Sequence, residues 1–177
     1  RLETKWIRIM SWVGEDVDVN EWRNESIKRC RELAKMGEDG GIVLLHENCT
    51  GWGGLGAKEM VEIKSEVDSP AFQLLYDIGN VVGHGCEPDE FFKIIRGEFA
   101  YIHIKDVKQH PGEKSQEFTY CGDGDAKLAQ ILDTIVNEDK YDGFISIEPH
   151  VAAIVHDDSV QVSEEDKFQS YLKYGEK

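Results

Sequence analysis

The sequence lacks two features that would place it with membrane or nucleic-acid-binding proteins. No apolar run approaches the roughly 20 residues that a membrane span requires, so we expect no membrane attachment. Basic residues are few, because 20 Lys and Arg stand against 35 Asp and Glu, giving a net charge of −15. A surface that acidic repels phosphate polyanions, which disfavours nucleic acid as a partner.

Cysteine is also scarce, and its four positions are far apart: Cys30, Cys49, Cys86 and Cys121. The absence of a C-x-x-C pair fits reduced thiols in the cytoplasm better than a disulfide framework. The chain starts Arg-Leu-Glu, without a methionine or a signal peptide, so our hypothesis is a piece of a longer protein. Its 177 residues, 40% of them hydrophobic, are enough for a single globular domain over residues 1–177.

The stretch 41–54, GIVLLHENCTGWGG, is the most informative part of the sequence. Its apolar run from Ile42 to Leu45 predicts a strand buried on both faces, as in parallel sheets. The run turns polar at His46 and Glu47, which puts a carboxylate at the carboxyl end of the strand. Barrels and open sheets of the α/β class place their chemistry at such ends. The alternative is that Glu47 caps the strand or pairs with a nearby cation.

Strand and helix patterns alternate five times along the chain. The predicted strands are Trp6–Trp12, Ile42–Glu47, Ala71–Tyr76, Phe99–Ile104 and Gly143–Ile147. The predicted helices are Val19–Lys35, Leu55–Lys64, Pro88–Ile95, Ala126–Val136 and Ser163–Tyr174, and residues 109–124 form a polar loop. This alternation predicts consecutive βα units and a parallel sheet. Five units do not close a (β/α)8 barrel, so the first strands are missing from this sequence or come from a partner. Exposed sheet edges would favour a homo-oligomer.

Metal-binding side chains stand at or beside four successive strand ends. They are Glu47, Asp77, His103 and Glu148. In a parallel barrel these ends surround one mouth. Each residue alone is typical of a helix cap or a core position, but four such coincidences favour a metal site. Three carboxylates and one imidazole suit Mn²⁺, Mg²⁺ or Co²⁺ better than a thiolate-seeking ion, with Zn²⁺ as a further candidate.

Five motifs resemble a known family: HENCTGWGG, LLYDIGN, YIHIKDV, GDGD and GFISIEPH. They are similar to the xylose isomerase-like (β/α)8 barrels, in particular the sugar phosphate isomerases and epimerases, over about the fourth to eighth strands. The resemblance implies an α/β fold of the TIM-barrel type that lacks its first strands. It also implies that Glu47, Asp77, His103 and Glu148 bind one divalent metal ion. In the ketose 3-epimerase branch, residues corresponding to Glu47 and Glu148 move the protons.

The implied function is a metal-dependent isomerase or epimerase acting on a small sugar or sugar phosphate. Such a reaction removes a proton from the carbon next to a carbonyl and returns one, passing through an enediolate. A divalent ion stabilises the developing charge, and two carboxylates exchange the proton. How Glu47 and Glu148 divide metal binding and proton transfer is left open by the sequence.

Four residues are candidates for substrate binding: Trp52, Asn80, Lys105 and Gln109. Trp52 would form an apolar wall for a sugar ring, with a loop anchor as the alternative. By the resemblance, Asn80 and Gln109 stand where the ketose 3-epimerase branch has a His and an Arg, which weakens that particular substrate mode. Asp106 is a candidate for orienting a metal ligand through a hydrogen bond.

Three other interpretations stay open. A dehydratase of keto-inositols, in the same superfamily, begins with the same proton abstraction. A DNA-repair endonuclease, also related, is disfavoured by the net charge of −15. A truncated barrel that binds a carbohydrate without catalysis is favoured by the missing strands and disfavoured by the complete set of metal ligands.

Overall fold

The computed structural model describes residues 3–110, 116–151 and 163–176. The chain folds into two compact units, Arg1–Tyr76 with Glu90–Tyr101, and Asp77–Asp89 with Ile102–Lys177. Within the described ranges, no helix combines the length and the apolar character that crossing a membrane requires.

The strands form one large sheet and one small one. The strands are β1 (Trp6–Ile9), β2 (Val43–Glu47), β3 (Phe72–Asp77), β4 (Phe99–Ile104), β5 (Asp106–Gln109), β6 (Gln116–Thr119) and β7 (Phe144–Ile147). The large sheet has the order β1-β2-β3-β4-β7, and β2 pairs in parallel with both β1 and β3. The five strands predicted from the sequence are therefore confirmed as members of one sheet.

Helices connect these strands. They are α1 (Val19–Gly40), α2 (Ala57–Val67), α3 (Ile78–Gly83), α4 (Pro88–Ile95), α5 (Leu128–Asp133) and α6 (Glu164–Glu176). A 3₁₀ turn spans Trp52–Gly54, and a π-helical turn, Thr134–Glu138, continues α5. The predicted start of α6 is confirmed, because Ser163 Oγ accepts a hydrogen bond from the backbone N–H of Asp166 at 3.1 Å.

The first helix is longer than its predicted span of Val19–Lys35. It runs to Gly40, and Gly41 caps it with a φ of +65°, a left-handed conformation that glycine adopts without strain. Gly37 lies inside the helix. A Cβ at Gly37 would stand 2.7 Å from the carbonyl oxygen of Ile42. Gly37 therefore permits close packing of the helix against the start of β2. At the other end, Asp18 is the N-cap, and its side chain accepts the backbone N–H of Asn20.

The predicted polar loop over residues 109–124 is wrong in part. Within it and just before it, β5 and β6 pair antiparallel, with Asp106 opposite Thr119 and Gln109 opposite Gln116. Residues 111–115 lie outside the described part of the chain. β5 and β6 are four residues long and have few apolar side chains, so they show almost no alternation of apolar and polar residues. The sequence pattern therefore did not predict them.

Aromatic packing fixes β3 within the first unit. Tyr76 is fully buried, and its ring centroid lies 5.9 Å from Phe91, 6.2 Å from Phe92 and 5.4 Å from Phe99. Aromatic pairs at these separations stabilise a core beyond the area they bury. The carboxyl end of β3 is therefore held in place by the packing of Tyr76.

One buried histidine should make the free energy of unfolding depend on pH. His46 is fully buried beside Phe72, and neither ring nitrogen has a hydrogen-bond partner among the described residues. Burial lowers the pKa of His46 to about 4. Because an unfolded histidine titrates near pH 6.5, the stability linked to His46 is complete above that pH and is lost as the pH falls toward 4. We expect this residue to cost about 3 kcal/mol of unfolding free energy between pH 7 and pH 4.

Urea unfolding at pH 7, 5.5 and 4, in the presence of EDTA, measures this loss. Carboxylates titrate in the same range, so the comparison that isolates the imidazole is with His46→Leu, which keeps the apolar contacts. The variant should lose about 3 kcal/mol less than the parent chain over this interval. Parallel pH profiles for the two proteins would contradict the prediction.

Candidate metal centre

The four predicted metal ligands all lie at carboxyl ends of strands in the large sheet. Glu47 and Asp77 are the last residues of β2 and β3, His103 is the penultimate residue of β4, and Glu148 directly follows β7. The backbone N–H of Glu148 donates to the carbonyl of Ile104 at 2.9 Å, which sets Glu148 beside the end of β4. The placement of all four side chains therefore follows from where the strands end.

These side chains form a group that could hold a metal ion. One ligand atom of each of Glu47, Asp77, His103 and Glu148 lies within 4.8 Å of the others. Metal bonds to oxygen and nitrogen are roughly 2.0–2.2 Å long, so ligands of one ion stand up to about 4.4 Å apart. The observed spacing is within a few tenths of an ångström of that limit. Three carboxylates and one imidazole are donors that divalent ions accept, so the residues fit such an ion.

A buried lysine lies against two of the ligands in the second unit. The ammonium group of Lys105, a residue only 5% exposed, is 2.9 Å from Asp77 Oδ2 and 2.8 Å from Glu148 Oε2. Burial by itself lowers the pKa of Lys105, but the two carboxylates outweigh it and raise the pKa overall. Burial also opposes ionisation of Glu148, yet contacts with His150 and Lys105 lower its pKa. Lys105 and Glu148 are therefore both charged at neutral pH.

Asp77 divides its two carboxylate oxygens between two tasks. Its Oδ1 accepts the backbone N–H of Asn80 at 2.9 Å and so caps α3, while its Oδ2 contacts Lys105. A Cβ at Gly79 would lie 2.5 Å from the carbonyl oxygen of Lys105, so glycine is required for this close approach. The start of α3 and the backbone of Lys105 are thus packed directly against each other.

Glu47 has a partner that sequence reasoning missed. In the first unit, Arg8 Nη1 lies 3.1 Å from Glu47 Oε2 and 3.4 Å from Oε1. The Glu47 carboxylate is buried, whereas the Arg8 side chain is 39% exposed. The only signal in the sequence is a charged residue within the short apolar strand WIRI. A cation at this place compensates the charge of Glu47.

Asp106, predicted to orient a metal ligand, holds a loop in the second unit. Its carboxylate accepts backbone N–H groups of Val107, Gly122, Gly124 and Ala126 at 2.9–3.2 Å. Its own backbone N–H donates to the hydroxyl oxygen of Tyr174 at 2.9 Å. The GDGD motif therefore presents its glycine N–H groups to a carboxylate of the protein itself. Asp125 accepts the N–H of Gln109, and α5 begins at Leu128 rather than at the predicted Ala126.

The other predicted substrate-binding residues have varied surroundings. Trp52 is buried in the 3₁₀ turn, with the guanidinium carbon of Arg23 5.6 Å from the ring centroid. Asn80 is half-buried in the first turn of α3, and Gln109 is exposed at the end of β5. The contact of Trp52, Asn80 and Gln109 with a substrate stays a prediction. His150 is not among the predicted site residues, and its Nε2 lies 3.6 Å from Glu148 Oε2.

A family model described as the xylose isomerase-like TIM barrel matches residues 2–169, nearly the whole chain. The chain belongs to this family. The resemblance drawn from the five motifs is thereby confirmed, as is the α/β fold of the TIM-barrel type, present as a five-stranded part of the barrel.

Individual proteins are also similar to this chain, at low sequence identity. Inosose dehydratase of Bacillus thuringiensis (strain Al Hakam) is 25% identical over 141 residues, which cover 72% of this chain and 47% of the relative. The zinc-bound crystal structure of the IOLI protein has a TM-score of 0.72 at 17% identity, covering 97% of this chain and 61% of that one. D-allulose 3-epimerase from Methylomonas sp. has a TM-score of 0.64 at 18% identity, covering 94% and 58%.

At these identities the structural likenesses show the xylose isomerase-like fold alone. The chain spans about half the length of the curated relatives it matches.

Proposed function

We propose that this chain belongs to a divalent-metal-dependent enzyme that abstracts a proton next to the carbonyl of a polyhydroxy ketone, and isomerises or epimerises a sugar or sugar phosphate. The observation that carries the proposal is the group of three carboxylates and one imidazole with ligand atoms within 4.8 Å. The two similar structures, one zinc-bound and one of an epimerase, support it. The acidic chain supports a small-molecule substrate rather than nucleic acid, and the absence of disulfides from its described part fits the cytoplasm.

The metal ion would be held by Glu47, Asp77, His103 and Glu148. A bound Mn²⁺, Mg²⁺, Co²⁺ or Zn²⁺ ion supplies Lewis-acid stabilisation of the negative charge that develops on the substrate oxygens. The chain itself supplies the shape and charge of the site. Asp77 is fixed by its cap on α3, and Glu148 by the backbone bond to Ile104.

Glu47 and Glu148 are the residues that we assign to proton transfer. Glu47 is buried and paired with Arg8, and its side chain is a carboxylate, a group that can accept a proton. Glu148 is half-buried and charged, so it can accept a proton at one step and return it at another. Two carboxylates acting on opposite sides of a carbon atom invert it, which is epimerisation. General acid–base catalysis of this kind contributes roughly 10²–10⁴-fold to the rate.

A second candidate is dehydration of a keto-inositol. The observation favouring it is the match to inosose dehydratase, at 25% identity over 72% of this chain. Dehydration begins with the same proton abstraction next to a carbonyl and then expels a hydroxyl group as water. Asn80 and Gln109, which depart from the ketose 3-epimerase pattern, fit a different substrate at this site. Both reactions share the first step, so one experiment can address them together.

The test is proton exchange in D₂O. The metal-free chain is reconstituted with Mn²⁺ and incubated with ketoses, ketose phosphates and inososes, and mass spectrometry follows deuterium in the recovered substrate and product. Deuterium in both a ketose and its epimer would support the epimerase. Deuterium with loss of 18 mass units from an inosose would support the dehydratase.

Metal dependence is the control for this experiment. Activity should vanish with EDTA and return with Mn²⁺. Metal binding without any exchange over the whole panel would favour a non-catalytic barrel. Absence of metal binding by the folded chain would overturn the proposal altogether.

A further inference from the structure

The position of Lys105 conflicts with a metal ion at the same carboxylates. Its ammonium nitrogen lies 2.9 Å from Asp77 Oδ2 and 2.8 Å from Glu148 Oε2. Lys105 is 5% exposed and Asp77 is completely buried. Water therefore does little to screen these charges. The lysine therefore occupies a place where two carboxylates stabilise positive charge.

The two oxygens of Asp77 differ in their contacts. Oδ1 accepts the N–H of Asn80 as the cap of α3, which makes Oδ2 the more available oxygen for a cation. That same oxygen holds the ammonium group of Lys105. A divalent ion about 2.1 Å from Oδ2 would stand next to a buried positive charge, which strong repulsion disfavours. Lysine and metal thus compete for one position.

We infer that Lys105 is the counter-ion of the metal-free centre, and that a divalent metal binds to Asp77 and Glu148 by displacing its ammonium group. The inference rests on the proposed metal-dependent function. Lys105 then acts as a built-in competitor of the metal. It compensates the negative charge of the carboxylates when no metal is bound, and it raises the metal concentration needed to fill the site. The long, flexible side chain of lysine allows such a movement without a change in the backbone.

Replacing Lys105 tests its two roles separately, as competitor of the metal and as counter-ion of the carboxylates. In Lys105→Met the competitor is absent, so the dissociation constant for Mn²⁺ should fall by roughly tenfold or more. The metal-free variant should melt several degrees below the parent, because the buried carboxylates lose their partner. Titration calorimetry and thermal melting in EDTA measure the two effects. Lys93→Met, at an exposed position of α4, removes the same charge and should change neither.

Displacement itself is visible in the parent chain and needs no variant. Lys105 should react slowly with an amine-acylating reagent without metal, because its side chain is only 6% exposed. Addition of Mn²⁺ should speed this reaction severalfold, while exposed Lys93 reacts at the same rate in both states. Mass spectrometry of peptides gives each rate.

The outcomes distinguish this inference from the proposed function. Mn²⁺ binding by the parent chain with unchanged acylation of Lys105 would overturn the exchange and leave the metal function intact. Weaker Mn²⁺ binding by Lys105→Met would overturn it as well, because a positioning role would then explain the contacts. Absence of Mn²⁺ binding by the parent chain would overturn the metal function and the exchange together.

Discussion

Glu47→Gln is expected to lower the rate of substrate proton exchange by about 10²–10⁴-fold, the contribution typical of a general base. Glutamine has nearly the same shape as glutamate, but its amide cannot accept the proton that a carboxylate takes. The half-exposed Arg8 side chain can turn to water when its partner loses charge, so the fold should survive the change. This expected loss is the largest that the proposed function predicts for a single residue.

The measurement must separate proton transfer from metal binding, because Glu47 is proposed for both. Exchange rates are therefore taken at saturating Mn²⁺, with the metal content of each variant determined first. Glu148→Gln is the paired variant. If the two carboxylates serve opposite epimers, each variant should lose exchange from one epimer more than from the other. Glu90→Gln, which changes an exposed glutamate, should match the parent chain. Exchange at the parental rate in metal-loaded Glu47→Gln would refute the assignment.

Much of the candidate site could be predicted because strand ends are local features of the sequence. β2 and β3 are apolar runs buried along most of their length, and each finishes in a carboxylate, Glu47 or Asp77. The change from apolar to polar residues therefore marks both the end of the strand and the position of the ligand. Parallel pairing then brings successive ends to one edge of the sheet. The rest of the site was predicted from the five motifs, because their order along the chain resembles that of the family.

The charge partners within the site could not be predicted, because they depend on contacts between distant segments. Arg8 reaches Glu47 across 39 residues, and Lys105 reaches Glu148 across 43. No spacing rule of helices or strands links residues so far apart. Lys105 was predicted as a substrate-binding residue from its place after β4, and only the structure adds its contacts with two metal ligands. The sequence does not single out Arg8, because one arginine in a strand commonly faces water.

Asp106 makes contacts that its position in the sequence did not reveal. Its position next to Lys105 and three residues after His103 indicated a role in orienting a metal ligand. In the structure its carboxylate accepts backbone N–H groups 16 and 18 residues further along, at Gly122 and Gly124, and its role toward a metal ligand stays a prediction. A Cβ at Gly124 would lie 2.3 Å from Asp106 Oδ1, so this glycine and this carboxylate depend on each other.

Asp106→Asn is therefore expected to lower the free energy of unfolding by about 4 kcal/mol. Each carboxylate oxygen accepts two backbone N–H groups, and an asparagine presents an amide NH₂ group where one of those oxygens stood. Two N–H groups then lose their acceptor, and a buried donor without a partner costs roughly 1–3 kcal/mol. Asp106 is 1% exposed, so water cannot replace the lost acceptor.

Urea unfolding in EDTA measures this effect free of any contribution from metal. Asp142→Asn makes the same charge change at an exposed position and should alter the free energy of unfolding by less than about 0.5 kcal/mol. Hydrogen exchange adds a local test, because the amides of Gly122 and Gly124 should lose protection in Asp106→Asn more than those of the first unit. A variant as stable as the parent chain would show that the four hydrogen bonds do not hold the loop. The GDGD turn would then have to be stabilised by its own backbone conformation.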